Sequence, residues 1–142
     1  MAHTATRVVL AEDNEIIRRG IRNLLIKARD IEVVGEAKNG VEALRLVEAL
    51  LPDVLLLDVE MPLLNGMEVA RQMRKGGNNT PILVLSAYDD REYILEMLAN
   101  GAAGYLIKDE APRRIIDAVL GVARGETGWV SPRVEAKLKM KR

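Results

Sequence analysis

The sequence predicts an α/β fold in which one parallel β-sheet is covered by helices on both faces. Residues 54–57 form an unbroken apolar run, which is typical of a strand buried on both sides. The segment after Asn65-Gly66 then places apolar side chains at helical spacing. Five such runs alternate with five helical patterns along the chain. Strands that alternate with helices favour a parallel sheet with right-handed crossovers.

The apolar runs predict the positions of the strands, and the helical patterns predict the segments between them. The strands cover residues 8–11, 31–35, 54–57, 81–86 and 102–107. The helices cover about residues 14–28, 41–51, 69–73, 90–99 and 115–123. In the first helix we expect Ile21 and Leu25 to face the core and Arg18, Arg19 and Arg22 to point outward.

The pattern changes after Gly125, where residues 129–132 break the alternation. Ser131 could cap a further helix with Pro132 in its first turn. Val134 and Leu138 lie four residues apart, but the end of the chain is polar and basic. The sequence therefore predicts one domain over residues 7–125 and a linker segment over residues 126–142. Either a short linker helix or a frayed, solvated tail fits the last residues.

Composition excludes several classes of function. The 21 basic and 21 acidic side chains balance to a formal charge of +0, which argues against a nucleic-acid-binding surface on this chain. The absence of cysteine excludes a disulfide framework, a zinc–thiolate site and a cysteine nucleophile. No apolar run approaches the ~20 residues that cross a bilayer, and residues 1–7 lack a signal-peptide core. We therefore expect a cytoplasmic protein without membrane contact, and we assign no role to His3.

Polar side chains follow four of the predicted strands at the point where each strand ends. Glu12 and Asp13 follow the first strand, Asp58 the third, Ser86 the fourth and Lys108 the fifth. Each alone could cap a helix or lie on the surface. Because the carboxyl ends of parallel strands share one edge of the sheet, where ligands bind in such folds, we expect these side chains to meet.

The chemistry of this set indicates phosphoryl transfer. At ~4 Å, two like unit charges in an effective dielectric of about 20 repel by roughly 4 kcal/mol, so three close carboxylates call for a cation. Oxygen ligands with few carboxylates suit Mg²⁺. Lys108 adds a fixed positive charge, and a carboxylate such as Asp58 can be the nucleophile that forms an aspartyl-phosphate.

These residues resemble those of the receiver domains of two-component response regulators. The similarity covers about residues 7–125, and residues 101–109 and 125–132 are similar to the NarL/FixJ (LuxR-type) subfamily. The matching pieces are Glu12-Asp13, Asp58 with Met61-Pro62 and Gly66, Ser86-Ala87, and Gly-Tyr-Leu-Ile-Lys at 104–108. The resemblance implies a flavodoxin-like, doubly wound, five-stranded parallel sheet of order 2-1-3-4-5, with five helices and a C-terminal linker helix.

The resemblance also implies roles for the site residues. Asp58 would accept the phosphoryl group and share Mg²⁺ with Glu12, Asp13 and the backbone carbonyl of Glu60.

Three further side chains would act in phosphoryl transfer or in switching. Lys108 would be the charge partner of the phosphoryl group, and the Ser86 hydroxyl would turn toward that group. Tyr105 would be the aromatic switch that moves inward with Ser86.

The implied partners are a sensor histidine kinase, which supplies phosphate from phosphohistidine, and a second copy of the chain after phosphorylation. DNA would be bound only through a LuxR-type helix-turn-helix domain beyond Arg142. The chain would be a signalling switch in a phosphorelay that controls transcription. It would not be an enzyme acting on external substrates, although it would catalyse its own phosphorylation and dephosphorylation.

Two other functions stay open on the residues. A metal-dependent phosphatase with an aspartyl-phosphate intermediate needs an acid two residues after its nucleophile, and Glu60 has that spacing. A pure interaction module would keep the fold but accept no phosphate. Turnover of an external phosphomonoester would favour the phosphatase, and failure to take up phosphate would favour the interaction module.

Overall fold

The computed structural model describes residues 4–140 and has the predicted parallel α/β architecture. The strands are β1 (Thr6–Ala11), β2 (Ile31–Ala37), β3 (Val54–Asp58), β4 (Ile82–Ser86), β5 (Gly104–Ile107) and β6 (Trp129–Val130). The helices are α1 (Glu15–Ile26), α2 (Gly40–Leu50), α3 (Gly66–Lys75), α4 (Arg91–Ala99), α5 (Ala111–Ala123) and α6 (Pro132–Leu138). Within residues 4–140, no helix is both long and apolar enough to span a bilayer. His3 lies outside the described residues.

The sheet has the order β2-β1-β3-β4-β5-β6, and every neighbouring pair is parallel. The predicted order 2-1-3-4-5 is therefore confirmed, but the predicted number of five strands is wrong by one. The additional strand β6 lies beside β5, where the Trp129 amide donates to the Ala103 carbonyl (3.2 Å) and the Ser131 amide donates to the Tyr105 carbonyl (3.3 Å).

The core consists of two apolar layers, one on each face of the sheet, because side chains alternate along each strand. Leu55 and Leu57 of β3 face a layer completed by α2, α3, α4 and α6. Leu56 faces the other layer, which α1 and α5 complete. Residues 54–57 of β3 are buried, as the unbroken apolar run predicted, and Asp58 at the end of the strand is buried as well. Because β3 is packed on both faces, the position of its last residue, Asp58, at the carboxyl edge of the sheet is fixed.

Four helices begin at an Asn or Asp whose side chain accepts the backbone amide three residues later. These N-cap residues are Asn14, Asn39, Asn65 and Asp90. Each such cap typically contributes ~1 kcal/mol. All four follow the carboxyl end of a strand, and Asn14, Asn65 and Asp90 lie in the loops after β1, β3 and β4, whose ends carry candidate site residues.

The linker helix exists and packs against the domain. Ser131 occupies its N-cap position with Pro132 in the first turn, as predicted, but its hydroxyl accepts the Ile107 amide (3.1 Å) and makes no capping hydrogen bond. Val134 is fully buried and Leu138 packs against the core, which rules out a solvated tail over 132–138. Lys141 and Arg142, which the tail hypothesis included, lie outside the described residues.

One outward residue of α1 was predicted wrongly. Arg19 and Arg22 are exposed, as expected, but Arg18 is only 8% exposed. It lies on the same buried stripe as Ile21 and Leu25, at positions i, i+3 and i+7 of the helix. In that position its guanidinium is paired with the Glu12 carbonyl and with the Glu36 carboxylate.

Candidate functional site

The strand register brings the predicted site residues to one height at the carboxyl edge of the sheet. Ala11 pairs with Leu57, so Glu12 and Asp58 follow side by side. Ser86 pairs with Ile107, so Lys108 follows directly beyond.

The carboxylates of Glu12, Asp13 and Asp58 each place an oxygen within 4.8 Å of the others. These residues line a cleft of about 800 Å³ whose other walls include Lys108 and Glu60. The structure therefore brings together the acidic residues and the lysine that the sequence indicated.

Asp58 lies at the floor of the cleft and is 3% exposed. Its Oδ1 accepts the Glu60 amide (3.2 Å) and lies 3.4 Å from Lys108 Nζ. Burial, and then the adjacent negative charge of Glu12, raise the pKa of Asp58 to about 7, although Lys108 acts in the opposite direction. The cleft therefore brings two buried carboxylates and one ammonium group together.

Glu12 is the most deeply buried acid of the site, at 1% exposed. Its Oε1 lies 2.5 Å from Lys108 Nζ, and its Oε2 accepts the Asn14 amide (3.1 Å). Burial lowers the pKa of Lys108, but the hydrogen bond to Glu12 and the charge of Asp58 outweigh burial and raise it. Lys108 therefore stays cationic and bridges both buried carboxylates.

The acidic cluster fits a hard divalent cation. Asp13 is exposed at the mouth of the cleft, while Glu12 and Asp58 are buried, so an ion would be bound on one side and open to solvent on the other. All three groups offer oxygen ligands, and a partly open set of few carboxylates suits Mg²⁺, which retains water molecules. Burial, and after it the charge of Glu12, raises the pKa of Asp58, and a cation bound here would favour the ionised form of that carboxyl.

Ser86 and Tyr105 lie beneath the cleft and are both fully buried. The Ser86 hydroxyl accepts the Tyr88 amide (2.9 Å), and the Tyr105 hydroxyl donates to the Tyr88 carbonyl (2.9 Å). Burial raises the pKa of Tyr105 to about 12, so its hydroxyl remains a donor. The Tyr105 ring is thus buried, and both hydroxyls are bonded to the backbone of Tyr88.

Sequence reasoning missed two residues at this site. Tyr88 joins Ser86 to Tyr105 through its own amide and carbonyl, and main-chain groups leave no signal in the residue type. Arg18 donates from Nη1 to the Glu12 carbonyl (2.9 Å). Its signal was present, since its spacing from Ile21 and Leu25 places it on the buried stripe of α1.

Comparison with known proteins yields one family and many relatives. The model of the response regulator receiver domain matches residues 8–120. The transcriptional regulatory protein YxjL of Bacillus subtilis is 41% identical over 120 residues, which is 84% of this chain and 55% of that protein. The nitrate/nitrite response regulator protein NarL of Escherichia coli is 39% identical over 119 residues, with the same two coverages.

The solved structures that this chain resembles also belong to response regulators. The signal receiver domain of a NarL response regulator from Mycobacterium tuberculosis has a TM-score of 0.83 and 40% identity, covering 87% of this chain and 99% of that one. A LuxR-family two-component response regulator from Aurantimonas has a TM-score of 0.88 and 26% identity, covering 95% and 96%. The chain spans about half the length of the curated relatives that it matches.

Proposed function

Because this chain belongs to the response regulator receiver domain family, we propose that it accepts a phosphoryl group on Asp58 from a sensor histidine kinase. It is a receiver of the NarL/LuxR type, whose relatives regulate transcription. One observation carries the assignment of the acceptor: Asp58 ends the central strand at the floor of a cleft lined by Glu12, Asp13 and Lys108.

The proposed step is a displacement at phosphorus. An oxygen of Asp58 forms a bond to the phosphorus atom while the bond from phosphorus to the histidine nitrogen breaks, and the electron pair stays on the imidazole. Lys108, held by Glu12 and Asp58, would place its positive charge beside the phosphoryl oxygens, where charge develops. Mg²⁺, held by Glu12, Asp13, Asp58 and the Glu60 carbonyl, would supply further neutralisation of that charge. Attack of water on the phosphorus atom would break its bond to the Asp58 oxygen, release inorganic phosphate and return the carboxylate.

The proposed switch involves the bonds made by Ser86. In this structure the Ser86 hydroxyl accepts the Tyr88 amide, and the Tyr88 carbonyl accepts the Tyr105 hydroxyl. We propose that phosphorylation shifts an existing equilibrium between this arrangement and one in which Ser86 binds the phosphoryl group. Tyr105 would stabilise the loop after β4 in both of these arrangements.

We expect Mg²⁺ to stabilise the fold, because it offsets repulsion among Glu12, Asp13 and Asp58. At about ten times its Kd an ion contributes ~1.4 kcal/mol, which raises the melting midpoint by about 5 °C for a domain of this size. Thermal melts with and without Mg²⁺ measure the shift. Asp13→Asn should reduce it, and Asp117→Asn, an exposed acid on α5, should retain it. No shift, or an equal shift in Asp13→Asn, would count against the site.

We expect the phosphorylated domain to form a homodimer through a face that includes α1, α5 or the Tyr105 strand. Since β5 lies between β4 and β6, its edge is not free for pairing, and the helical faces are the better candidates. Light scattering before and after treatment with a small phosphodonor should show the mass double, and Asp58→Asn should stay monomeric. An unchanged monomer in both states would remove the proposal.

We further propose that residues 7–125 form the receiver and residues 126–142 lead toward a LuxR-type DNA-binding domain beyond Arg142, in a cytoplasmic protein. The support is that the matched segment covers only 55% and 56% of two relatives, which are named as transcriptional regulatory proteins. The full reading frame tests this, and a stop codon directly after Arg142 would refute it.

A further inference from the structure

Arg18 is a charged residue on the buried stripe of α1. It is 8% exposed and lies between the apolar positions of the α1 stripe and the loop that carries the acidic pair. A guanidinium is costly to bury unless its donors are paired. Its partners therefore indicate what it does.

The guanidinium of Arg18 joins the loop after β1 to β2. Its Nη1 donates to the Glu12 carbonyl (2.9 Å), and its Nε lies 3.3 Å from Glu36 Oε1. Glu36, on β2, is also paired with Arg22 of α1 (3.3 Å). Because Glu36 offsets its charge, Arg18 acts on the loop through a hydrogen bond rather than as a bare cation near the carboxylates.

The Glu12 backbone is consequently held on both sides. Its amide donates to the Ala37 carbonyl (3.0 Å), and its carbonyl accepts from Arg18. The next turn is tied to the same helix, since the Arg18 amide donates to the Asn14 carbonyl (2.9 Å) and Asn14 in turn donates to Glu12 Oε2. Rotation of the peptide after Glu12 would turn the carboxylates of Glu12 and Asp13 relative to Asp58.

We propose that Arg18 is a positioning residue for the acidic pair: it fixes the Glu12 peptide so that Glu12 and Asp13 face Asp58 ready to bind a divalent cation. This inference rests on the proposed function, since it concerns how tightly the same cleft binds its ion. Arg18 touches neither the ion nor the phosphoryl group in this role, because it lies behind the backbone that carries them.

The test compares Arg18→Met with Arg22→Met. Both variants remove an arginine that pairs with Glu36, but only Arg18 contacts the Glu12 backbone. Titration of metal-free protein with Mg²⁺ should give a Kd about tenfold higher in Arg18→Met, the size expected for loss of an outer-shell partner, and a Kd within about twofold of wild type in Arg22→Met. At saturating Mg²⁺ the phosphorylation rate of Arg18→Met should recover most of its loss, measured at a temperature where the metal-free variant is already folded, so that stabilisation of the fold by Mg²⁺ does not account for the recovery.

Two further measurements keep the inference testable if Arg18→Met folds poorly. Arg18→Lys keeps the charge but replaces the fork of donors by one ammonium, so it should bind Mg²⁺ more weakly than wild type. Amide hydrogen exchange in metal-free protein should be faster at Asn14 in the Arg18 variants and unchanged in Arg22→Met. A wild-type Kd in folded Arg18→Met, full affinity in Arg18→Lys, or equal losses in Arg22→Met would each overturn the inference.

These readouts separate the two proposals. Wild-type protein that binds no Mg²⁺ and takes up no phosphoryl group would remove the proposed function, and the positioning role with it. Wild-type protein that does both, with an Arg18→Met variant that matches it, would remove only the positioning role.

Discussion

Asp58→Asn should take up no phosphoryl group from a small phosphodonor such as acetyl phosphate, whereas the wild type should gain one. The amide cannot form the acyl phosphate, and Glu12 and Asp13 are not substitutes, because a phosphorylated member of the acidic pair would no longer serve as an ion ligand. Intact-mass spectrometry in the presence of Mg²⁺ measures the added group. The wild-type adduct should be lost on treatment with hydroxylamine, as an acyl phosphate is and a phosphoserine is not.

Asp53→Asn is a matched control for that experiment. Asp53 precedes the same strand at its opposite end, where its carboxylate accepts the Arg7 amide (2.8 Å), and an asparagine retains an acceptor there. Asp53→Asn should therefore be phosphorylated as the wild type is. Modification of Asp58→Asn at the wild-type level, or a hydroxylamine-stable adduct on Ser86, would contradict the assignment of the acceptor.

Lys108→Met should destabilise the metal-free protein more at high pH than at low pH. Removing one partner of a buried ion pair typically costs about 3–5 kcal/mol, and the 20% exposure of the Lys108 side chain reduces that figure to the lower end or below. Burial and Glu12 raise the pKa of Asp58 to about 7, and removal of Lys108 takes away the charge that lowers it. Below pH 7 Asp58 takes up a proton, and the neutral carboxyl group no longer needs the ammonium group of Lys108. The free energy of unfolding that Lys108→Met loses therefore becomes smaller as the pH falls and is largest above pH 7.

Urea unfolding at several pH values between 5 and 9 measures this effect. Lys139→Met is the control, because Lys139 pairs with Glu135 on the exposed side of α6 (3.0 Å), and such surface pairs contribute little. Adding Asp58→Asn to Lys108→Met should recover part of the stability, since it removes one of the two carboxylates that lost their partner. Equal destabilisation at both ends of the pH range would show that Lys108 acts through packing rather than charge.

The sequence predicted the parts of this structure that depend on local pattern. An apolar run without alternation identified β3, and the position of Asp58 at its end followed directly. The two residues of β6 are too few to show a periodic pattern. They form a strand only because the carbonyl groups of Ala103 and Tyr105 accept hydrogen bonds from the amides of Trp129 and Ser131.

Arg18 illustrates a different source of error. Its spacing indicated the buried stripe, whereas its residue type indicated the surface. The contacts of Arg18 with the Glu12 carbonyl and with Glu36 on β2 decide that it is buried. These contacts come from other parts of the chain, so the sequence of α1 alone does not predict them.

The two-residue strand β6 determines how far the chain can be shortened from its C-terminus without loss of contacts to β5. A fragment ended at residue 125 would leave β5 with a row of unpaired amides and carbonyls along a buried, apolar strand, and Ile107 would lose the Ser131 hydroxyl. An uncovered strand of this kind is a template for aggregation between chains. The shortest fragment that keeps these contacts of β5 and Ile107 therefore extends past Ser131, and a fragment ended at α5 should unfold at a lower temperature than one that includes β6.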